Sequence, residues 1–285
     1  VLTAYVCGRD QGLTLERCFN SLKGVDELIY IDGGSKDSSV AIAKKHNAIV
    51  LKCKGKTASE QRGMAGAVSS NPYVMWLSPD DVLEKGGVKK INDKVATSTS
   101  DLISLVVKDG ICHFDFPRIA KREVKYIGRA HEYPEAKTID TVNVSIEHKA
   151  GPWHLNPTDP DGVLKLLWQD MKEMPDNPRW VYYYAREWWN RGRLFDAIHW
   201  FEKRVEKVGF PAEMADAYLY LARCYTAIGN GEKARAACLS AISINANFKE
   251  AILFLIPMLL DSNKDQWQRM ADAADNSNVL FRRVG

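Results

Sequence analysis

The stretch Asn71–Asp81, NPYVMWLSPDD, constrains the fold more than any other. The run Tyr73–Leu77 is apolar without alternation, so it needs cover on both faces, as a buried parallel strand does. It breaks at Ser78-Pro79 and delivers Asp80 and Asp81 to the carboxyl end of that strand. Ligands of open α/β sheets bind at this edge. Two carboxylates there suit a hard divalent cation, which takes oxygen ligands. Equally, Ser78 and the aspartates are good N-caps for a helix starting near Val82.

The flanking sequence supports the strand. Val1–Cys7, Glu27–Asp32 and Ala48–Cys53 read as three more strands. Between them, Thr14 can cap a helix with Leu15, Cys18, Phe19 and Leu22 on one face. Ser35 can cap a second helix reaching Lys45, and Thr57–Ser70 reads as a third, carrying Arg62. Strand and helix alternating through short turns predict an α/β fold, Rossmann-like, with a mostly parallel sheet covered on both faces. Beyond Asp81, strands are expected at Asp101–Val107, Gly110–Pro117 and Thr138–His148. Gly151–Asp161, rich in Pro, Asp and Gly, reads as a linker. The expected domains are therefore 1–150, a linker 151–161, and a helical domain 162–285.

The second half repeats itself. Ala185, Gly192 and Ala197 recur as Ala222, Gly229 and Ala234, each 37 positions on. The shared pattern is an aromatic-rich helix, a turn with Gly, and a second helix with Ala at its centre. This resembles the tetratricopeptide repeat, of period about 34 residues, with a degenerate third unit over Phe248–Trp267. Its aromatics, Trp180, Tyr183, Trp188 and Trp189, exceed what one helix pair needs, so an exposed aromatic groove for an acceptor, or a dimer surface, is expected.

Composition adds limits. A net charge of +3 over 285 residues does not by itself indicate nucleic acid. No apolar stretch approaches the roughly 18 residues of a membrane span. The chain opens in a strand-like run without a basic n-region, so no signal peptide is expected. Six cysteines without CxxC spacing read as reduced thiols of a cytoplasmic protein.

Three strand ends carry polar groups: Arg9-Asp10, Asp32, and Asp80-Asp81. With Arg62 on an intervening helix they outline a pocket for a ligand with an anionic part and a polar ring, a nucleoside diphosphate. At this point Val1–His148 resembles a family 2 glycosyltransferase of the GT-A fold. The carrying residues are IYIDGGSKDSS, similar to the family's VDSGSTDGT, then Gln61-Arg62-Gly63, similar to ARN-G, and WLSPDD, similar to LDADE. Pro117-Arg118-Ile119, His131-Glu132 and His148 match a subgroup with an R-L-F segment, a V-H-E and a final H. That subgroup includes lipopolysaccharide-core glucosyltransferases and tetratricopeptide-fused enzymes that glycosylate peptides.

The resemblance implies roles. Asp32 and the Arg9-Asp10 turn would bind uridine, and Arg62 the base or diphosphate. Asp80, with Asp81 and His148, would hold Mn2+ or Mg2+. Glu132, beside His131, would be the base of an inverting hexosyl transfer from a UDP-sugar such as UDP-glucose, and Arg118 would meet the acceptor or a phosphate. Ser78 stands where the family has the first acid of Asp-x-Asp, and Gly33 where relatives have an acid that contacts the base; both positions belong to the nucleotide site. The acceptor would be a glycan, a peptide or a modified nucleobase. Two alternatives remain. One is a non-catalytic helical scaffold with a degenerate transferase domain. The other is a transferase for hydroxymethylated DNA bases, suggested by Lys121, Arg122, Lys125 and Arg129.

Overall fold

A computed structural model describes residues 2–53, 57–109, 112–149, 161–259 and 261–274. The chain divides into two compact units, one up to Thr158 and one from Asp159. The expected linker, with His154, falls outside the described residues except for Asp161.

The first unit alternates β1 (Leu2–Gly8), α1 (Leu15–Ser21), β2 (Glu27–Asp32), α2 (Ser39–Lys45), β3 (Ile49–Lys52), α3 (Ala58–Val68) and β4 (Tyr73–Leu77). There follow β5 (Asp81–Leu83), α4 (Gly87–Val95), β6 (Leu102–Asp109), β7 (Cys112–Lys121), the short pair β8 (Tyr126–Ile127) and β9 (Tyr133–Pro134), and β10 (Ile139–His148). Eight strands form one sheet in the order β3-β2-β1-β4-β7-β6-β10-β5. Four of its seven neighbouring pairs are parallel; β7 runs against β4 and β6, and β5 against β10. The sheet is therefore mixed and mostly parallel. One face packs Leu15, Cys18 and Phe19 of α1 and Val88 and Ile91 of α4 over Leu2, Ala4, Met75 and Leu105. The other packs Ala65 and Met64 of α3 over Tyr5, Ile29, Ile31 and Val74.

Two local expectations are corrected. The helix expected from Ser35 starts at Ser39, because Ser35 is held in the preceding turn: its N–H donates to Asp32 Oδ1 and its hydroxyl accepts from the Asp10 N–H. The segment after Asp81 is a strand. Asp81–Leu83 pairs in register with Ile146–His148, and α4 begins only at Gly87. Three residues carry too little pattern to announce a strand; the distant β10 supplies the partner.

Two features position the site. Thr57 and Glu60 form a capping box that fixes the start of α3. Gly66 lets the chain after β7 lie on α3, since a Cβ there would come within 2.3 Å of the Arg122 carbonyl oxygen.

The second unit consists of α5 (Gly162–Glu173), α6 (Pro178–Asn190), α7 (Leu194–Val205), α8 (Pro211–Ala227), α9 (Gly231–Ile244), α10 (Lys249–Leu255), a 3-10 turn at Ile256–Met258, and α11 (Asp261–Ala273). Ala185, Ala197, Ala222 and Ala234 are all fully buried. Gly192 and Gly229, 37 positions apart, both take positive φ, 68° and 78°, at the turns after α6 and α8. Side chains tie alternate helices together: Arg179 to Glu213, Tyr182 to Asp216, and Arg223 to Glu250. The expected exposed aromatic groove is corrected in part. Trp180 and Tyr183 are buried core residues; only Trp188 and Trp189 are half-buried. Among the described residues no helix is long and apolar enough to cross a membrane, and Cys7, Cys18, Cys53, Cys224 and Cys238 are free thiols.

Glu84 couples β5 to β10: its Oε2 accepts from the Ser145 N–H and hydroxyl, and its Oε1 from Lys90. The Lys90 bond first, and then those from Ser145, hold its carboxyl down at about 2 from an ordinary 4.5. A depressed carboxylate stabilises above its unfolded pKa and loses that contribution as pH falls through the folded value. Urea midpoints should therefore drop between pH 4.5 and about 2 in part through Glu84. Glu84→Gln should be less stable than wild type at pH 6, with the difference shrinking towards pH 2; an equal difference at both pH values would contradict the linkage.

Candidate active site

Asp81 is fully buried at the start of β5 and both of its oxygens are engaged. Oδ2 accepts the Ser78 N–H at 2.8 Å and lies 3.0 Å from Arg118 Nη1. Oδ1 is 2.8 Å from His148 Nδ1 at the end of β10. The bond to Asp81 raises the His148 pKa, against burial, with Asp80 adding to the rise. With Nδ1–H donating to Asp81, the opposite nitrogen, Nε2, faces Asp80 Oδ2 at 3.7 Å. Asp80, Asp81 and His148 each offer a ligand atom, all within 4.8 Å of one another. Oxygen and imidazole donors at this separation fit a divalent cation. Asp80 and His148 Nε2 would supply the ligand atoms, while Asp81 orients the imidazole from behind, as a carboxylate behind a ligating histidine does.

Arg118, on β7, is buried and its guanidinium rests on the Trp76 ring, 3.7 Å from the centroid. Burial lowers its pKa against the pull of Asp81. Its place is thus behind the candidate cation site, as the counter-charge of Asp81, rather than on an open acceptor surface.

Trp76 carries a second cation, Arg62 of α3, 4.1 Å from the ring centroid. Arg62 also lies 4.8 Å from the Tyr126 ring and donates to the Tyr5 hydroxyl at 3.0 Å. Its Nε and Nη2 reach Glu132 Oε1 at 2.6 and 2.5 Å. Burial works against the Arg62 charge, but Tyr5 and Glu132 outweigh it and its pKa rises. Glu132 sits in the turn between β8 and β9, after His131, whose φ of 54° is left-handed. Arg62, Trp76, Ser78, Pro79, Tyr5 and Cys7 line a cavity of about 150 Å³. Tyr5 and Tyr126 carried no signal in the sequence beyond an apolar pattern; the pairing of β8 with β9 and the packing of α3 bring them to Arg62.

Asp32 is buried at the end of β2, where its Oδ1 accepts the Ser35 N–H. Gly33 donates its N–H to the Gly8 carbonyl, joining the ends of β1 and β2. Asp10 has a left-handed φ of 56°, accepts the Lys36 N–H and lies 3.5 Å from Arg9. Asp37, not singled out in the sequence, clamps the same two turns by accepting from Gly12 N–H and Ser39. The structure thus brings the ends of β1, β2 and β4 together with Arg62, and places Asp80, Asp81 and His148 beside them. Of the four basic residues that suggested a nucleic-acid acceptor, Lys121 pairs with Asp101 and Arg122 donates to the Ser69 carbonyl.

A sequence model described as glycosyl transferase family 2 matches residues 2–153, more than half of the chain, and the chain belongs to that family. No curated protein matches it in sequence. Among solved structures it is similar to glucosyl-3-phosphoglycerate synthase from Mycobacterium tuberculosis in complex with Mn2+ and UDP-glucose (15% identity, 59% of this chain and 78% of that one, TM-score 0.43). It is also similar to residues 1–349 of TarS from S. aureus (12% identity, 97% and 88%, TM-score 0.48) and to the same protein with UDP-GlcNAc (11%, 97% and 88%, 0.46).

Removing one partner of a buried ion pair leaves the other charge uncompensated, at a cost of about 3–5 kcal/mol. Arg118→Met should destabilise the chain by that order in urea unfolding. A loss below about 1 kcal/mol would mean that Asp81 does not depend on Arg118.

Proposed function

We propose that the chain is a metal-dependent, inverting glycosyltransferase that moves a hexose from a UDP-sugar to an acceptor hydroxyl. The observation that carries this reading is the convergence of Asp80 and His148 Nε2, held by Asp81, at the sheet edge that also bears the Arg62 cavity. Residues 1–150 form the GT-A domain in this reading, and 162–285 a tetratricopeptide-like array that serves the acceptor or assembly. The free thiols suit the cytoplasm.

Asp80 and His148 would hold Mn2+ or Mg2+, which when bound supplies positive charge to a leaving diphosphate. Asp32, Gly33 and the Arg9-Asp10 turn bind the uridine. Arg62, stacked on Trp76, presents a fixed cation to the nucleotide, and its rigidity costs nothing at the moment of reaction. Glu132 is the base. Its Oε1 takes both contacts from Arg62, so Oε2 is left to accept the proton of the acceptor hydroxyl. The acceptor oxygen attacks the anomeric carbon, the bond from that carbon to the diphosphate oxygen breaks, and UDP departs with the electron pair.

Asp80→Asn should keep the fold and abolish the dependence of UDP binding on Mn2+ in calorimetric titration. Equal UDP affinity with and without Mn2+ in the wild type would overturn the metal reading. A positioned base contributes about 10²- to 10⁴-fold. Glu132→Gln should lower turnover by that order with UDP-sugar affinity changed little, while the melting temperature falls because Arg62 loses its buried counter-charge. Full transfer activity in Glu132→Gln would exclude it as the base.

A further inference from the structure

Beside His148 the sheet opens into a separate cleft of about 660 Å³, whose lining includes Glu84, Lys85, Lys108, His113 and Glu147. Its frame is one register row of the sheet: Glu147 lies opposite Val82 and Lys108, and Lys108 opposite His113. The adjacent row carries Asp81, His148 and Asp109. His148 itself also lines the cleft, which therefore borders the candidate cation site.

Its charges do not cancel. Both oxygens of Glu84 are occupied by Lys90 and Ser145. Glu147, although opposite Lys108 in register, lies 3.1 Å from Lys149. The two lining acids, Glu84 and Glu147, are thus each matched by a cation of their own. Lys85 and Lys108 are exposed, and neither has a carboxylate partner among the described residues; His113 adds a hydrogen-bond donor between the strands. Two unmatched ammonium groups and an imidazole around a concave space suit an anion, since the ammonium is a point charge that fits phosphate and carboxylate alike. The volume suits a small molecule rather than a nucleic-acid backbone, which needs an extended basic track.

We propose that this cleft binds a phosphate or carboxylate group carried by a small acceptor, so that the acceptor is recognised by its charge and its hydroxyl is presented from the His148 side. The acceptor role rests on the transferase reading above; the anion site does not.

The test uses the full chain, with UDP and Mg2+ at saturation so that any diphosphate site is filled. Inorganic phosphate is titrated against sodium chloride of matched ionic strength, and acetate in parallel, with melting temperature as readout. Wild type should be stabilised by phosphate, by acetate, or by both, beyond the chloride control, and which of them acts identifies the group. The Lys85→Ala, Lys108→Ala double variant, altered only at exposed positions, should bind the anion at least tenfold more weakly while its shift with UDP and Mg2+ stays within twofold. No anion shift in wild type, or an undiminished shift in the double variant, overturns the proposal. An anion shift that depends on the two lysines in a protein that gives no UDP shift supports the anion site and overturns the transferase reading instead. Glycerol 1-phosphate and glycerol, offered as acceptors with UDP-glucose, test the acceptor role: the phosphate ester should be glycosylated at least tenfold faster, and equal rates would overturn that role.

Discussion

The buried carboxylate of Asp81 is the constraint on which the rest of the site depends. It is fully buried, so its charge needs partners from the chain. One comes from Ser78 in the turn after β4, one from the charge of Arg118 on β7, and one from His148 at the end of β10. Three segments that are distant in sequence are thereby fixed around a single group. The effect is directional: His148 is held by Nδ1, so Nε2 turns to Asp80. A candidate cation site of one carboxylate and one oriented imidazole follows from satisfying a buried acid.

The ring of Trp76 links this arrangement to the cavity beside it. Arg118 and Arg62 both lie on the ring, and they answer to opposite acids, Asp81 and Glu132. Cation–π contact is worth about 2 kcal/mol or more when desolvated, and here it helps hold two like charges close although Arg62 repels the Arg118 charge. The two halves of the candidate site, the Asp80–Asp81–His148 cluster and the Arg62–Glu132 pair, are thus linked through one residue on the strand that leads into Ser78-Pro79-Asp80.

Much of the frame was legible in the sequence. The unbroken apolar run Tyr73–Leu77 marked a central strand, and the spacing of Gly192 and Gly229 marked two equivalent turns, which take the same left-handed conformation. What was not legible depends on pairing between distant segments. Asp81-Val82-Leu83 has the local chemistry of a cap and helix start, and only β10 makes it a strand. Arg118 reads equally as an acceptor or phosphate contact and as the partner of a structural carboxylate until β7 is set between β4 and β6, where it is buried against Trp76 and beside Asp81. The engagement of Glu132 with Arg62 likewise needs the β8–β9 turn folded over α3, a contact separated by 70 residues that no local pattern encodes.

The central claim is that Asp80 and His148 together hold a divalent cation at the nucleotide's diphosphate. Anomalous diffraction from crystals grown with Mn2+ and UDP addresses it most directly. The account predicts one strong manganese peak within ligand distance, about 2.0–2.3 Å, of an Asp80 oxygen and His148 Nε2, with Asp81 still bonded to Nδ1. A manganese peak ligated elsewhere, or UDP bound at the β1, β2 and β4 ends with no manganese at all, would contradict it.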